Sequence, residues 1–392
     1  MQHIWDLVVV GAGPAGSQAA RTAAARGLSV LLLDQEEFPR PKTCGGLVSA
    51  KACAALGLTL PAALGERRIE GVRLVGPDGE TALAQTAPFL GWTVDRAALD
   101  AFLVEEAVRA GAEFRPGAAF LSIENAASGH ISLRTSRGNL RARAIIGADG
   151  SSSSVARALG QGRSLPAWRT ALALSAMLSL PAPRVEEVFN GGRTVNLYCL
   201  PLPYAFGWAF PYRERVNLGL GAWAGAAKAL PQLMAGFARQ LQLSWGITPQ
   251  AVHPRGAYLP AGGLTFRPGR SQVLLVGDAA GLVDPFSGEG IYFALRSGQL
   301  AAETLVGCLA TAGAPLTSAA RLYAAACRRE LLGELRLALV LAIFTGTKRH
   351  FFRSLSARPE RLELIVQIMT NPRAYRTALL QARQPGPPAR SG

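Results

Sequence analysis

Lysine is nearly missing from this sequence. Of 41 basic residues only four are Lys, and arginine carries the rest of a formal net charge of +15. Cysteine is sparse too: Cys44, Cys53, Cys199, Cys308 and Cys327 form no CxxC pair and are odd in number. That argues against a disulfide scaffold and a structural zinc site. The histidines His3, His130, His253 and His350 show no HExxH spacing, so no metal site is expected. Charged residues make up 17% of the chain and hydrophobic ones 49%, a balance that excludes a disordered protein. Long apolar runs are absent as well. The block Leu337–Phe344 falls short of the roughly 20 residues that a bilayer span requires. The uncharged stretch Thr194–Tyr212 is long enough, but Pro201, Pro203 and Pro211 break it. No secretory leader is legible at the start, so the expected setting is a reducing cytoplasm, with peripheral attachment to the inner face of a membrane as an option.

What is present reads as an α/β chain of about two or three domains. Asp6–Val10 is a buried-strand pattern, Gly11–Gly16 a turn, Ser17–Arg26 an alanine-rich helix stopped by Gly27, and Ser29–Leu33 a second strand ending at Asp34. Together they make a βαβ unit. Residues 70–94 alternate like strands about the turn Gly76–Gly79. Asp95–Ala110 reads as a helix capped by Asp95. From about 165 to 255 aromatics and prolines rise and Gly-x-Gly strands such as Val216–Gly221 suggest antiparallel sheet; Gln272–Val276 then restores a buried strand. The expectation is a discontinuous Rossmann-type dinucleotide-binding domain (1–68, 93–160 and 256–320) and an antiparallel β-sheet substrate domain (69–92 and 161–255). A basic C-terminal helical segment (321–383) and a disordered tail (384–392) follow.

The basic charge is concentrated. Residues 321–383 hold 12 Lys and Arg against four Glu, together with Leu337–Phe344 and Lys348–Arg353. Two readings stay open: a surface for anionic lipid, or a helical lid on the core with a solvated basic face. Nucleic acid is not expected as a partner, and the oligomeric state is not legible.

Three segments carry chemistry. In Gly11-Ala-Gly-Pro-Ala-Gly16, Gly11 permits the tight turn, Gly13 lets backbone approach a pyrophosphate, and Gly16 allows close packing of helix on strand. The helix N-terminus then faces phosphates with unpaired N–H groups. Asp34 is placed to accept from ribose hydroxyls, with no nearby arginine in its stead. Gly147-Ala-Asp149-Gly and Val276-Gly-Asp278-Ala-Ala280 each end a hydrophobic strand in an acid flanked by glycine. Three strand ends drawn from distant parts of the chain suit a ligand longer than NAD, with a polyol to hold. Asp278 would accept from ribityl hydroxyls. The loop Asp284–Ile291, with Pro285 and Gly288, would present a helix N-terminus to the electron-rich end of an isoalloxazine ring.

With these residues in view, the chain resembles the flavoprotein monooxygenase superfamily of the p-hydroxybenzoate hydroxylase fold, and within it the geranylgeranyl reductase family. Besides the three segments, Phe38-Pro-Arg40-Pro-Lys-Thr-Cys44-Gly45-Gly46, Val94-Asp-Arg96 and Tyr204-Ala-Phe-Gly-Trp208-Ala-Phe-Pro211 carry the resemblance. It implies FAD and reduction of carbon–carbon double bonds in isoprenoid chains on chlorophyll precursors, quinones or archaeal-type lipids. It implies cofactor contacts at Ala15, Asp34, Cys44, Gly45, Arg96, Asp278, Gly290 and Ile291, with the adenine flank near Phe120; Arg40 and Asp149 join the candidates. Cys44 would donate a proton, line the ring, or simply pack. The other four cysteines are expected in the core. Tyr204 and Trp208 are the candidate substrate-facing residues, in an aromatic stretch suited to an apolar polyene. No second Gly-x-Gly-x-x-Gly opens a βαβ unit, so NAD(P)H would visit only transiently. A hydroxylase or halogenase, or a redox-neutral cyclase acting on an apolar substrate, is the alternative. Three cofactor motifs leave little room for a non-enzymatic basic protein.

Overall fold

The computed structural model describes residues 3–76, 78–85, 89–125, 129–161, 170–200, 205–262, 265–310, 315–344 and 359–382. Tyr204, Lys348–Arg353 and the tail 384–392 lie outside them.

Valine, leucine and isoleucine runs buried on both faces, at residues 7–10, 30–33, 145–146 and 273–275, form the centre of the first sheet. Its strands are β1 (Ile4–Val10), β2 (Val30–Leu33), β8 (Glu113–Arg115), β9 (Phe120–Asn125), β10 (Ile131–Thr135), β11 (Gly138–Gly147), β17 (Gly269–Arg270) and β18 (Val273–Leu275). The order is β17-β18-β11-β1-β2-β8, with β10 and β9 extending from β11. β1 lies parallel between β11 and β2, and β18 is parallel to β11, with Val10 opposite Gly147 and Gly147 opposite Leu275. The three strand ends singled out in the sequence therefore stand side by side. Helix α1 (Pro14–Ala24) begins earlier than the alanine pattern suggested, because Pro14 occupies its first turn. The other helices of the N-terminal half are α2 (Ala50–Leu56), α3 (Arg96–Arg109), α4 (Ser154–Ala158) and α5 (Ala182–Val188). Asp95 caps α3 as expected, its carboxylate accepting from the Ala97 amide.

The second sheet takes β5 (Gly71–Val75), β6 (Thr81–Gln85), β12 (Thr170–Ser179), β13 (Thr194–Cys199), β14 (Ala205–Pro211), β15 (Arg215–Trp223) and β16 (Arg255–Pro260) in the order β16-β12-β15-β14-β13-β5-β6. It is not wholly antiparallel: β5 pairs with β13 in parallel, from Thr194–Gly71 to Tyr198–Val75. A contact between segments so far apart in sequence leaves no local signal of strand direction. A third sheet, β3 (Leu47–Ser49), β7 (Gly91–Val94) and β4 (Gly65–Ile69), joins the two. One face of the second sheet is covered by α6 (Leu230–Ser244), through Met234, Phe237 and Leu241. The other face looks back toward the strand ends of the first.

Helix α7 (Ile291–Ala310) packs against α1 so closely that a Cβ on Gly298 would overlap the Ala15 carbonyl. Helix α8 (Ala319–Cys327) continues through a π-helical turn, Arg328–Leu332, into α9 (Gly333–Phe344); α10 (Pro359–Thr370) and α11 (Ala374–Ala382) follow. Ile365, Val366 and Met369 of α10 pack on Val72, Leu74 and Val195, so this region is part of the core, not a detached tail. Among the described residues no helix is long and apolar enough to cross a membrane.

Candidate flavin and substrate site

The turn between β1 and α1 has the geometry its glycines demand. Gly11 has φ +101°, a conformation that suits glycine, and a Cβ there would overlap the Ala148 carbonyl at the end of β11. A Cβ on Gly16 would overlap the Gly11 carbonyl. By contrast one on Gly13 would meet only the Arg40 guanidinium, at 3.8 Å. Gly11 and Gly16 are thus fixed by packing, whereas Gly13 borders open space at the N-terminus of α1. Asp34 is buried; its Oδ2 accepts from the Ala12 amide at 2.7 Å and its Oδ1 from the Glu36 amide at 3.0 Å. It holds the glycine turn, and each oxygen keeps a further lone pair for a ligand. The chain does bring an arginine here: Arg40 Nη2 lies 4.0 Å from Asp34 and 3.5 Å from Asp100.

Asp100 is fully buried and links this corner to the next. Arg96 grips it with Nε and Nη2 at 3.0 and 3.1 Å, and the same guanidinium meets the Cys44 sulfur. Burial alone would lower the Arg96 pKa, but Asp100 and the sulfur outweigh it and hold it above the usual arginine value. Arg96 is therefore a permanent cation at the edge of the cavity. Asp278 faces it from the end of β18. Burial pushes its carboxyl up, while Lys42 and Arg96 pull against that shift. Among the described residues no hydrogen bond reaches this carboxylate. Gly290 stands beside it, where a Cβ would lie 3.6 Å from Oδ1.

The loop before α7 is braced from within and without. Asp284 accepts from the Phe286 and Ser287 amides at 2.8 and 2.9 Å, and Tyr375 of α11 donates to its other oxygen at 2.8 Å. Glu289 pairs with buried Lys51 at 2.8 Å and accepts from Ser49. Gly288, at φ +73°, comes against the Phe206 ring, and Pro285 and Ile291 line the same space.

Opposite stand Phe206, Trp208 and Phe210 of β14, alternate residues on one face, with ring centroids 5.8 and 6.2 Å apart. Trp208 faces Gly219 and Phe206 faces Gly221 across the β14–β15 ladder. A Cβ on Gly219 would overlap the indole, so the Gly-x-Gly strand exists to seat aromatic rings flat on the sheet. A cavity of about 390 Å³ runs from Pro14, Cys44, Arg96, Asp278 and Gly290 to these rings. Its far walls are Ala171, Ala173, Leu197, Cys199 and Leu259, with Ile365, Ile368 and Met369 of α10.

Cys44, Gly45, Arg96, Trp208, Asp278, Pro285, Gly288, Gly290 and Ile291 line this cavity, while Gly11, Gly13, Ala15, Gly16, Asp34 and Arg40 belong to the turn and corner beside it. Phe120 instead lies buried in the core of the first sheet. Asp149 is occupied at the start of α4, accepting from Ser153 Oγ and from the Ser154 and Val155 amides at 2.5, 2.6 and 3.1 Å. Cys199, expected in the core, is half-buried and lines the cavity, and Cys53 is also half-buried; Cys308 and Cys327 are buried. Asp100, Lys51, Glu289, Asn217 and Tyr375 were not singled out by sequence. A buried asparagine in the middle of strand β15 was the one available signal, since strands are poor in asparagine.

The residues fit FAD on the structure's own terms. Three adjacent strand ends, open space over Gly13 and a bare carboxylate at Asp278 suit pyrophosphate and polyol, and the cavity continues past them as an apolar slot. A family model described as an FAD binding domain matches residues 5–214. The chain is 33% identical over 318 residues to the menaquinone reductase of Mycolicibacterium smegmatis, covering 76% of each chain. It is 32% identical over 314 residues to the geranylgeranyl diphosphate reductase of Rhodobacter capsulatus, covering 78% of this chain and 76% of that one. A solved structure of a geranylgeranyl bacteriochlorophyll reductase-like protein from Thermoplasma acidophilum superposes with a TM-score of 0.82 over 97% of this chain and 99% of the other, at 20% identity, and shows the same fold. The chain belongs to the geranylgeranyl reductase family of FAD-dependent oxidoreductases.

Proposed function

We propose that this enzyme saturates carbon–carbon double bonds of a geranylgeranyl or other prenyl chain carried on a lipid, quinone or chlorophyll-type acceptor. The cavity carries the reading. The sheet wall facing the flavin loops is hydrocarbon, sulfur and aromatic ring, and three of its polar groups are engaged within the sheet: Ser175 Oγ and Trp208 Nε1 donate to Asn217, and the Tyr198 hydroxyl accepts from Asn196. A hydroxylated aromatic substrate would leave its polar groups unpaired against such a wall, whereas a polyene has none to satisfy. The two relatives named above, reductases of a quinone and of a geranylgeranyl diphosphate, support the same direction.

Bound FAD, once reduced, supplies a hydride. The chain's own residues do the rest. Asp34, Arg40 and the Gly13 turn hold the adenosine and pyrophosphate end, Asp278 and Arg96 the polyol, and the Pro285–Ile291 loop the ring. Phe206, Trp208 and Phe210 press the alkene flat and exclude water. Cys44 gives a proton to the carbon next to the one that takes the hydride, and is reprotonated from solvent. Arg96, at its sulfur, answers the charge left behind. Tyr204 remains a substrate-facing candidate. NAD(P)H is the proposed reductant, visiting without a domain of its own.

The substrate's membrane setting fits the C-terminal helices. Arg336, Val340, Ile343 and Phe344 are exposed on α9, and Arg376, Leu379 and Leu380 on α11, with Arg373 exposed just before it, so each exposed face runs from arginine to hydrocarbon. Such faces suit an anionic lipid surface. Salt-sensitive sedimentation with anionic vesicles, weakened in an Ile343→Glu/Phe344→Glu variant, supports this; equal sedimentation of both proteins contradicts it. The function is tested by incubating the FAD-loaded enzyme with dithionite and geranylgeranyl diphosphate without oxygen. A product heavier by two hydrogens per bond supports reduction. An unchanged prenyl chain, with hydroxylation of any acceptor once oxygen is admitted, supports a monooxygenase instead.

A further inference from the structure

One buried carboxamide joins the two sides of the slot. Asn217 of β15 is 4% exposed and lies on the sheet face that carries Gly219. Its Oδ1 accepts from Trp208 Nε1 at 2.8 Å and from Ser175 Oγ at 3.1 Å, and its Nδ2 donates to the Cys44 carbonyl at 3.2 Å. Chemistry fixes that orientation, because an indole N–H can only donate and a carbonyl can only accept. The next peptide is held as well: the Tyr212 hydroxyl lies 3.1 Å from the Gly45 carbonyl. Gly45 itself has no room to shift toward the sheet, since a Cβ there would come 2.8 Å from the Phe210 ring and 3.1 Å from Trp208 Nε1.

We infer that Asn217 is a positioning residue that sets the separation between the Trp208 wall and the Cys44 segment, and so the place of the thiol relative to a chain lying on the indole. Its catalytic consequence rests on the prenyl-reductase reading; the coupling of Trp208 to Cys44 does not. Asparagine is suited to the task because it offers an acceptor to one side and a donor to the other. Aspartate offers acceptors only: ionised, it keeps Trp208 and Ser175 but repels the Cys44 carbonyl. Protonated, it regains a donor. Burial favours that protonated form at higher pH than in water.

The test uses FAD-loaded wild type, Asn217→Asp, Asn217→Leu and Trp208→Phe, with bound flavin measured in each. Cys44 alkylation by iodoacetamide is followed by peptide mass, and kcat and KM by geranylgeranyl diphosphate reduction. Near pH 8, Asn217→Asp should alkylate Cys44 about three- to tenfold faster and lose kcat by about the same factor with KM little changed, the scale of one lost hydrogen bond. Its kcat relative to wild type should recover as pH falls toward about 5.5, with alkylation compared at each pH against wild type. Asn217→Leu should show the loss without the recovery. Trp208→Phe, which frees Asn217 from its indole partner, should also speed alkylation and serves if the Leu variant does not fold. Wild-type alkylation rates in Asn217→Asp and Trp208→Phe overturn the inference, as does an identical, pH-independent loss in the Asp and Leu variants. If wild type reduces no prenyl substrate, the functional reading fails while the alkylation rates still decide the coupling.

Discussion

Tyr375, near the C-terminal end of the described chain, donates its phenolic hydrogen to Asp284 in the loop that opens α7, at 2.8 Å. Both are buried, and the Tyr375 ring also meets Phe286 edge-on, at 6.2 Å between centroids. The last described helix thereby braces the loop against which the flavin ring is proposed to lie. The neighbouring Glu334 of α9 accepts from the Tyr375 amide at 2.9 Å and completes the bracket.

Replacing this phenol by phenylalanine keeps the ring and removes one hydrogen bond to a buried carboxylate. Tyr375→Phe should cost about 1.5–3 kcal/mol, the range for bonds to charged groups. The loop would then loosen while the first sheet stays intact. Urea unfolding together with the rate of flavin release checks this. A variant that loses stability yet holds flavin as wild type does would show that the brace does not reach the loop.

The ion pair of Lys51 with Glu289 makes a pH prediction. Burial holds the Glu289 carboxyl above its ordinary range and Lys51 opposes that shift. A raised folded-state value means that the native state binds the proton more tightly than the unfolded chain. That contribution is complete below the unfolded value near 4.5 and is lost as pH rises through the folded value. Lys51→Met removes the opposing charge, so the loss should extend to higher pH and the variant should weaken more steeply than wild type across that window. Breaking a buried pair by removing one partner costs about 3–5 kcal/mol, and Lys51→Met with Glu289→Gln should recover much of it. Urea midpoints as a function of pH for the three proteins decide the matter.

Gly219 seats Trp208, and its replacement by alanine has nowhere to go. Gly219→Ala should lift the indole off the sheet, part it from Asn217 and cost about 1–3 kcal/mol by overpacking. Prenyl turnover should fall further than stability does. A folded Gly219→Ala enzyme with wild-type kcat and KM would show that the indole's seat is dispensable.

What could be read in advance was whatever depends on local backbone. Gly11, Gly13 and Gly16 mark a turn, Asp95 marks a helix start, and hydrophobic runs mark buried strands, because each signal is complete within a few residues. That strands as distant as β1, β11 and β18 would align their ends followed from the like punctuation of the three motifs. Pairings between distant residues with no motif were not legible: Tyr375 with Asp284, Lys51 with Glu289, Asn217 with Cys44, and the parallel join of β5 to β13. Side-chain engagement was equally hidden. Asp149 stands in a strand-end motif of the same form as that of Asp278, yet its carboxylate accepts the first amides of α4, and Arg40 comes within 4.0 Å of Asp34 with its guanidinium over the ring of Phe38.

The most direct measurement is the rate at which the reduced, FAD-loaded enzyme regains its oxidised absorbance when mixed with geranylgeranyl diphosphate under strict anaerobiosis. Hydride delivery to the alkene predicts reoxidation that saturates with prenyl concentration and leaves one bond saturated per flavin. Flavin that stays reduced under a range of prenyl substrates, and reoxidises only when oxygen is admitted, would contradict it.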